Sequence, residues 1–417
     1  HLTNLVKQGE IPEDLVDEMV SEVLTLKFRL GLFENPYADE NRALEISNDP
    51  ATKALALEAA KQGVIMLKND NNTLPISSEK YKKIAVIGPN ADTVNLGDYS
   101  TEDPKYFVTV LEGIEKRAGN DFEVIYSKGC NITTPLPGNE LKLENDRLMI
   151  KEAVKVAKKA DIIVLAIGAD RNSDREGRDR SNIQLVGLQK QLIDEITALG
   201  KPVVLSIFGG KIYAMPSIYE KSSAVFNCWN LGQETGNGLA AVLFGDHSPA
   251  GKLTVSIPIS EGHIPANYNK KPSSYMRDFM FEKNPGGAIY PFGFGLSYTS
   301  FDIKNIKLEK DTIQVDETVK IFAEITNIGD YDGAEVVQLY VRDMVSSVTR
   351  PMKQLKDFDR VFLKKGETAK IEFTITPEKL SFYDRNMDFK VEPGEFALMI
   401  GNSSRDEDLK EISLFVK

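Results

Sequence analysis

Residues 162–180 read IIVLAIGADRNSDREGRDR. The first six residues are apolar without alternation, which is typical of a strand buried on both faces of a parallel sheet. Gly168 then opens a loop that holds four carboxylates and four guanidinium groups within thirteen residues. In parallel sheets, ligands meet the loops at the carboxyl ends of the strands. The stretch therefore predicts a buried strand that presents a highly charged loop at a functional edge.

Similar apolar runs lie on both sides of this strand, at 84–87, 203–208 and 224–226. One amphipathic helix separates the strands at 162 and 203, and its apolar positions are Leu188, Leu192, Ile193, Ile196 and Leu199. Strand, helix, strand order is typical of parallel sheets with covering helices. We therefore predict an α/β sandwich domain with a mainly parallel sheet over residues 51–265.

The hydrophobic pattern changes after residue 301. Apolar residues now alternate with polar ones, as at Val319, Ile321, Ala323 and Ile325. Alternation between turns that contain glycine is typical of half-buried strands. Residues 302–417 are predicted to form an all-β sandwich, and 266–301 a connecting segment.

The chain opens with an amphipathic helix, predicted over 12–31 with proline at its entry and glycine at its exit. A polar stretch to about Thr52 reads as a linker into a second helix that ends near Gly63. Residues 1–50 are thus predicted to precede the α/β domain. The sequence does not begin with methionine, and we expect further sequence upstream.

Composition narrows the function classes. Acids outnumber bases 62 to 51, giving a net charge of −11, and the basic residues are scattered, so no nucleic-acid partner is predicted. No apolar run is long enough to span a membrane. Cys130 and Cys228 have no second pair and no nearby histidines, which predicts buried thiols rather than a disulfide framework or a zinc site.

The charged loop contains a candidate proton donor, Glu176. The following Gly177 lets the backbone approach a ligand. Asp179 and Arg180, next to the following helix, are predicted to support the shape of the loop. The alternative is a solvated, salt-bridged loop without a chemical role.

Other candidate functional motifs in the sequence give weaker evidence for a chemical role. The three histidines lack a G-x-S-x-G elbow, so a hydrolytic triad is not predicted. Residues 88–92 (GPNAD) follow a strand as a phosphate-binding turn would, but they lack G-x-G-x-x-G. The alternative of a flavodoxin-like nucleotide binder therefore rests only on the predicted sheet topology and this turn. Trp229 at a strand end either stacks on a sugar or fills the core.

Several motifs, in this order, resemble glycoside hydrolase family 3. They are 11–33, similar to the closing helix of the family's (β/α) barrel, 64–69 (VIMLKN), 176–180 (EGRDR), 232–237 (GQETGN), 243–246 (LFGD), 249–253 (PAGKL) and 290–298 (YPFGFGLSY). Val186 stands where the family usually has proline. The resemblance implies that the N-terminal helix remains from a barrel and that the sandwich at 302–417 is fibronectin type III-like.

The resemblance also implies roles for residues. Glu176 becomes the acid/base of a retaining mechanism, with Asp174 or Asp170 as the alternative. Asp170, Arg171 and Trp229 are predicted to bind substrate. The nucleophile is an aspartate in a Ser-Asp-Trp context of the barrel, and no Ser-Asp-Trp occurs here. Neither a metal nor an organic cofactor is expected.

The function expected from the resemblance is an exo-acting β-glycosidase. It would remove terminal non-reducing sugars from β-linked oligosaccharides, as a β-glucosidase with β-xylosidase as the alternative, in the periplasm or outside the cell. This chain would need the barrel of the same protein for activity. The alternative is a non-catalytic carbohydrate-binding or adhesion module.

Overall fold

The computed structural model describes residues 1–101, 104–133, 143–272 and 288–417. The connecting segment predicted at 266–301 lies partly outside these ranges. The chain divides into two compact units, His1–Leu55 and Ala56–Lys417. Across the described ranges, no helix has both the length and the apolar character needed to cross a bilayer.

The first unit consists of helices α1 Leu2–Lys7, α2 Glu13–Arg29 and α3 Glu40–Asn48. The helix predicted at 12–31 is confirmed as α2. Helix α3 lies in the stretch that the sequence predicted as a linker. The Asp39 side chain accepts hydrogen bonds from the amides of Asn41 and Arg42. The first backbone N–H groups of a helix have no partner within the helix, and Asp39 accepts hydrogen bonds from two of them. This N-cap explains why the polar stretch is helical.

A six-stranded sheet forms the centre of the α/β domain. Its strands are β1 Ile65–Asn69, β2 Lys83–Ile87, β3 Glu123–Ser127, β4 Ile162–Gly168, β5 Val203–Phe208 and β6 Ala224–Trp229. They lie in the order β1-β6-β5-β4-β2-β3, and all neighbours are parallel except β1 and β6. The predicted mainly parallel sheet is confirmed. Strand β3 escaped prediction because it lies at an edge and its side chains are exposed or half-buried.

Helices cover both faces of the sheet. They are α4 Pro50–Gly63, α5 Val110–Ala118, α6 Glu144–Ala157, α7 Gln189–Thr197, α8 Pro216–Lys221 and α9 Thr235–Leu243. Successive residues of β4 point to alternate cores: Val164 packs with residues of α5 and α9, and Leu165 with residues of α6 and α7. Each fully buried side chain of this kind contributes about 1.5–3 kcal/mol, so β4 is anchored from both sides.

Both cysteines are buried free thiols. Burial, reinforced by the charge of Asp146, raises the pKa of Cys130 to about 12, and burial also raises the pKa of Cys228. Because the thiolate is the reactive form, we expect neither to react with a thiol reagent in the native full-length protein at neutral pH. Both should react after unfolding, as located by mass spectrometry. Fast modification of either cysteine in the folded protein would contradict this expectation.

The C-terminal part is a β-sandwich, preceded by a small pair of strands, β7 Ile257–Pro258 and β8 Ala288–Tyr290. Its elements are β9 Phe301–Leu308, β10 Thr312–Ile313, β11 Val319–Asn327, β12 Gly333–Asp343, β13 Gln354–Leu363, β14 Thr368–Ile375, α10 Pro377–Leu380, β15 Phe382–Tyr383, β16 Phe389–Lys390, β17 Gly394–Gly401 and β18 Leu409–Val416. One sheet has the order β10-β18-β17-β12-β13 and the other β14-β11-β9, while β15 and β16 pair separately. The alternating residues of β11 are buried between the sheets, which confirms the predicted sandwich.

A buried ion pair ties the sandwich to the α/β domain. Lys252 Nζ lies 2.6 Å from Glu335 Oε1, and the two side chains are only 11% and 6% exposed. Lys252 also donates to the Gly295 carbonyl at 2.8 Å, and Asn402 donates to Glu335 at 3.1 Å. Losing one partner would leave an uncompensated buried charge, so these contacts hold the two parts in a fixed arrangement.

Candidate active site

Three parallel strands lead into a glycine with positive φ. Gly88, Gly168 and Gly209 stand at the ends of β2, β4 and β5, with φ of 126°, 143° and 137°. A Cβ on Gly168 would lie 1.8 Å from the Phe208 carbonyl oxygen, and one on Gly88 would lie 2.0 Å from that of Ala166. Glycine therefore permits the close approach of neighbouring backbones at this carboxyl edge, where the loops begin.

The loop after β4 starts with a turn closed by Asp170. Its Oδ1 accepts hydrogen bonds from the Asn172 amide at 3.1 Å, the Ser173 amide at 2.9 Å and the Ser173 hydroxyl at 2.8 Å. Such side-chain bonds to nearby amides favour turns over regular structure. The Asp170 carboxylate is thus already engaged in shaping the loop.

Asp174 fastens the same loop to the one after β5. Its Oδ2 accepts from the Gly210 amide at 2.6 Å, and its Oδ1 lies 3.1 Å from Lys211 Nζ. The Asp174 side chain is 4% exposed. Burial, together with the charge of Asp174, raises the pKa of the neighbouring Tyr213. Asp174 is therefore a buried, paired carboxylate that holds two loops together.

The loop after β2 holds the β4 loop from the other side. Asn90 and Asn95 both donate to the Ala169 carbonyl, at 2.9 and 3.3 Å. Arg171 donates from Nη1 to the Ser100 carbonyl at 3.4 Å. The three loops at this edge thus form one hydrogen-bonded assembly.

Glu176 lies at the exposed part of this assembly. Its backbone amide donates to Asp98 Oδ2 at 3.2 Å. Within the described residues, its carboxylate takes part in no hydrogen bond or ion pair, whereas those of Asp170 and Asp174 do. The following Gly177 has φ of 69° and open space around it. Glu176 therefore combines a held backbone with a carboxylate that is available to a ligand.

The two residues predicted to support the loop differ in their surroundings. Arg180 donates to the Gln184 carbonyl and lies 3.5 Å from Asn182 Oδ1. Asp179 is exposed to solvent. In the part of the chain that the structure describes, these two neighbours do not pair with each other. Arg180 thus has a loop-supporting contact, and Asp179 points into water.

A cavity of about 550 Å³ opens between the loops after β2, β3 and β4. Its wall includes Asn90, Lys128, Asn131, Asp170 and Arg171. Polar groups of this kind suit a hydroxylated ligand. The structure thus brings two of the predicted substrate-binding residues to one cavity. Among the described residues, no three His, Cys, Asp or Glu side chains converge as metal ligands would.

Trp229 lies at the same edge of the sheet but lines a different cavity. It ends β6 with φ of 47°, and its half-buried ring packs against the core. A cavity of about 320 Å³ beside it is lined also by Gln62, Lys252 and Thr254. A positive φ is costly for a bulky side chain and persists only where the surroundings impose it.

Sequence reasoning missed two residues of the β2 loop. Asp98 contacts the Glu176 amide, and the adjacent Tyr99 is 79% exposed with φ of 58°. The local signal was the run Gly97-Asp98-Tyr99 after a strand. Nothing in the sequence alone linked that run to Glu176, which lies 78 positions further on.

With this geometry in place, the chain can be compared with known proteins. The sequence profile of the glycosyl hydrolase family 3 C-terminal domain matches residues 64–298. This chain belongs to glycoside hydrolase family 3. The fibronectin type III-like profile matches residues 335–404, within the sandwich. The resemblance seen in the sequence motifs is therefore confirmed.

The relatives of this family 3 chain are glycoside hydrolases. A β-xylosidase of Formosa agariphila is 38% identical, over 96% of this chain and 55% of the relative. A periplasmic β-glucosidase of Salmonella typhimurium is 36% identical, over 97% of this chain and 56% of the relative. A solved β-glucosidase of Erythrobacter marinus superposes with a TM-score of 0.91 at 33% identity, over 100% of this chain and 57% of that structure. The chain thus spans about half the length of the curated relatives it matches.

Proposed function

We propose that this chain is the C-terminal part of an exo-acting, retaining β-glycosidase, and that Glu176 is its acid/base. The observation that carries the proposal is the combination at Glu176 of a fixed amide and an unengaged carboxylate. A general acid must reach the leaving oxygen, and a carboxylate without an internal partner is available for that contact. Asp174 and Asp170 fit this role less well because both are bound within the loops.

The mechanism requires a second carboxylate. We propose an aspartate of a (β/α) barrel in the same protein, about 5–5.5 Å from Glu176 when substrate is bound. In the first step that aspartate attacks the anomeric carbon while Glu176 gives its proton to the departing oxygen. In the second step Glu176 takes a proton from water, which then releases the sugar from the aspartate.

The N-terminal unit supports the presence of a barrel. Helices α1, α2 and α3 contain no buried residue. Leu15, Met19, Val23 and Leu26 of α2 share one face and are about half or more exposed. An apolar stripe of this size favours a protein partner, and relatives of this family are nearly twice as long as this chain. We infer that the chain alone is inactive.

We propose a terminal, non-reducing β-linked glucose as the sugar removed, in line with the relatives named β-glucosidases. Asp170 and Arg171 would shape the wall beside the substrate. Trp229 and the exposed Tyr99 offer aromatic faces at the same edge for sugar stacking. By analogy with the Salmonella relative, we propose a location in the periplasm or outside the cell.

Product stereochemistry tests this proposal. The full-length protein should hydrolyse p-nitrophenyl β-glucoside with a higher kcat/KM than the β-xyloside. Proton NMR should show the β-anomer of glucose as the first product, because two displacements retain configuration. An α-anomer as first product would contradict the retaining mechanism. Oligosaccharide binding without any hydrolysis would favour a carbohydrate-binding module instead.

A further inference from the structure

We propose that Asp98 is a positioning residue for the acid/base Glu176, an inference that rests on the proposed function. Asp98 lies on the loop after β2, and Glu176 lies on the loop after β4. The Asp98 Oδ2 atom accepts the hydrogen bond of the Glu176 amide at 3.2 Å. A carboxylate that accepts from an amide forms a charge-assisted bond, which is stronger than a neutral one.

Asp98 is itself held in a defined orientation. Gly97 and Tyr99, on either side, have φ of 89° and 58°. The Gly97 amide donates to Asn95 Oδ1 at 3.2 Å, and the Ser100 hydroxyl donates to the Gly97 carbonyl at 2.6 Å. These bonds close a tight turn with Asp98 inside it. The carboxylate therefore approaches the Glu176 amide from a preorganised loop.

Arg171 provides a second link between Asp98 and the β4 loop. Asp98 Oδ1 lies 3.8 Å from Arg171 Nε, and the two side chains are 20% and 32% exposed. The Arg171 Nη1 atom also donates to the Ser100 carbonyl at 3.4 Å. The two carboxylate oxygens of Asp98 thus contact two points of the β4 loop, which fixes the position of the loop more closely than one bond would.

The remainder of the Glu176 environment makes this contact important. Gly177, which follows Glu176, has open space around it. Asp174, which binds the β5 loop, lies two residues before Glu176. The Asp98 bond thus acts at Glu176 itself. General acid catalysis depends on geometry, and a displacement of about 1 Å can lower a rate about 10²-fold. Asp98 would act through Glu176 and would not touch the substrate.

The test compares Asp98→Ala and Asp98→Asn in the full-length protein. For Asp98→Ala we expect kcat/KM for an alkyl β-glucoside to fall about 10–100-fold. For 2,4-dinitrophenyl β-glucoside, whose leaving group needs no proton, the fall should be less than about 3-fold. Asp98→Asn keeps an acceptor oxygen for the Glu176 amide but loses the charge that contacts Arg171, so it should recover part of the loss. Equal losses on both substrates, or no loss on the alkyl glucoside, would overturn the proposal.

Two further variants complete the test. Asp92→Ala removes an exposed carboxylate from the same loop, and this variant should behave as the parent protein. Within the described ranges, Asp92 accepts a bond from Thr109 and none from the β4 loop. Adding Asp98→Ala to Glu176→Ala should cause no further loss on the alkyl glucoside, because the group to be positioned is gone. Suppose that Glu176→Ala loses far more activity on the alkyl glucoside than on the 2,4-dinitrophenyl glucoside, whereas Asp98→Ala does not. Then only the positioning role of Asp98 fails. If Glu176→Ala is not selective, the proposed function itself fails.

Discussion

Replacing Glu176 by alanine in the full-length protein should reduce kcat/KM for alkyl β-glucosides about 10²–10⁴-fold. An alkoxide leaves poorly, so bond cleavage depends on the proton that Glu176 supplies. The 2,4-dinitrophenolate ion leaves without protonation, and kcat/KM for its glucoside should remain within about 10-fold of the parent value. For that substrate kcat and KM should fall together, because Glu176 is also the base that activates water in the second step.

Glu152→Ala is the matched control for this experiment. Glu152 is an exposed glutamate of α6 whose only described side-chain contact is with Lys155. This variant should keep the parent activity on both substrates. A Glu176→Ala protein with unchanged hydrolysis of alkyl glucosides would remove Glu176 from the mechanism. If Asp174→Asn or Asp170→Asn then lost far more kcat/KM on alkyl glucosides than on the 2,4-dinitrophenyl glucoside, that aspartate would be the acid.

Replacing Gly168 by alanine should destabilise the α/β domain by at least about 3 kcal/mol. The added Cβ would lie 1.8 Å from the Phe208 carbonyl oxygen and 2.8 Å from the Phe208 nitrogen. Both are backbone atoms of β5, so β4 and β5 would have to separate at the edge that carries the Glu176 loop. The φ of 143° adds strain for any side chain.

Thermal unfolding of the full-length protein measures this effect. A loss of about 3 kcal/mol corresponds to a fall in Tm of roughly 6–12 °C for a domain of this size. Gly262→Ala serves as the control, because its added Cβ would meet only the Ser260 hydroxyl at 3.7 Å. Equal melting temperatures for Gly168→Ala and Gly262→Ala would contradict a close approach of β4 and β5 at this edge.

The sequence predicted most of the fold because hydrophobic periodicity records which side chains are buried. Strands β2, β4, β5 and β6 are mostly apolar where they lie inside the sheet. Strand β11 of the sandwich alternates because one of its faces is more buried than the other. Strand β3 is different. Its edge position leaves Glu123 and Tyr126 exposed, so its composition does not distinguish it from a loop.

The candidate site was predictable only in part. The density of charge after β4 and the family motifs predict Glu176 as the acid/base. The partners that fix the loop come from other segments: Asp98 lies 78 positions from Glu176, and Gly210 lies 36 positions from Asp174. Such contacts depend on the order of strands in the sheet, which places β2, β4 and β5 side by side. Periodicity within one segment carries no information about them.

The contrast between the four loop carboxylates also required coordinates. From sequence, Glu176 is the preferred acid, Asp174 or Asp170 is the alternative, and Asp179 is predicted to support the loop, but all four carboxylates lie in one charged run. The structure separates them by their contacts. Asp170 closes a turn, and Asp174 is buried against the β5 loop. Among the described residues, Asp179 has no backbone contact comparable to the Asp98 bond at Glu176.

Azide rescue of the Glu176→Ala protein is the most direct test of the assignment of Glu176. A small anion can enter the space left by the carboxylate and attack the glycosyl-enzyme without help from a base. We expect added azide to accelerate turnover of 2,4-dinitrophenyl β-glucoside by this variant and to yield β-glucosyl azide. No acceleration, or an α-glucosyl azide product, would contradict the assignment of Glu176 as the acid/base of a retaining glycosidase.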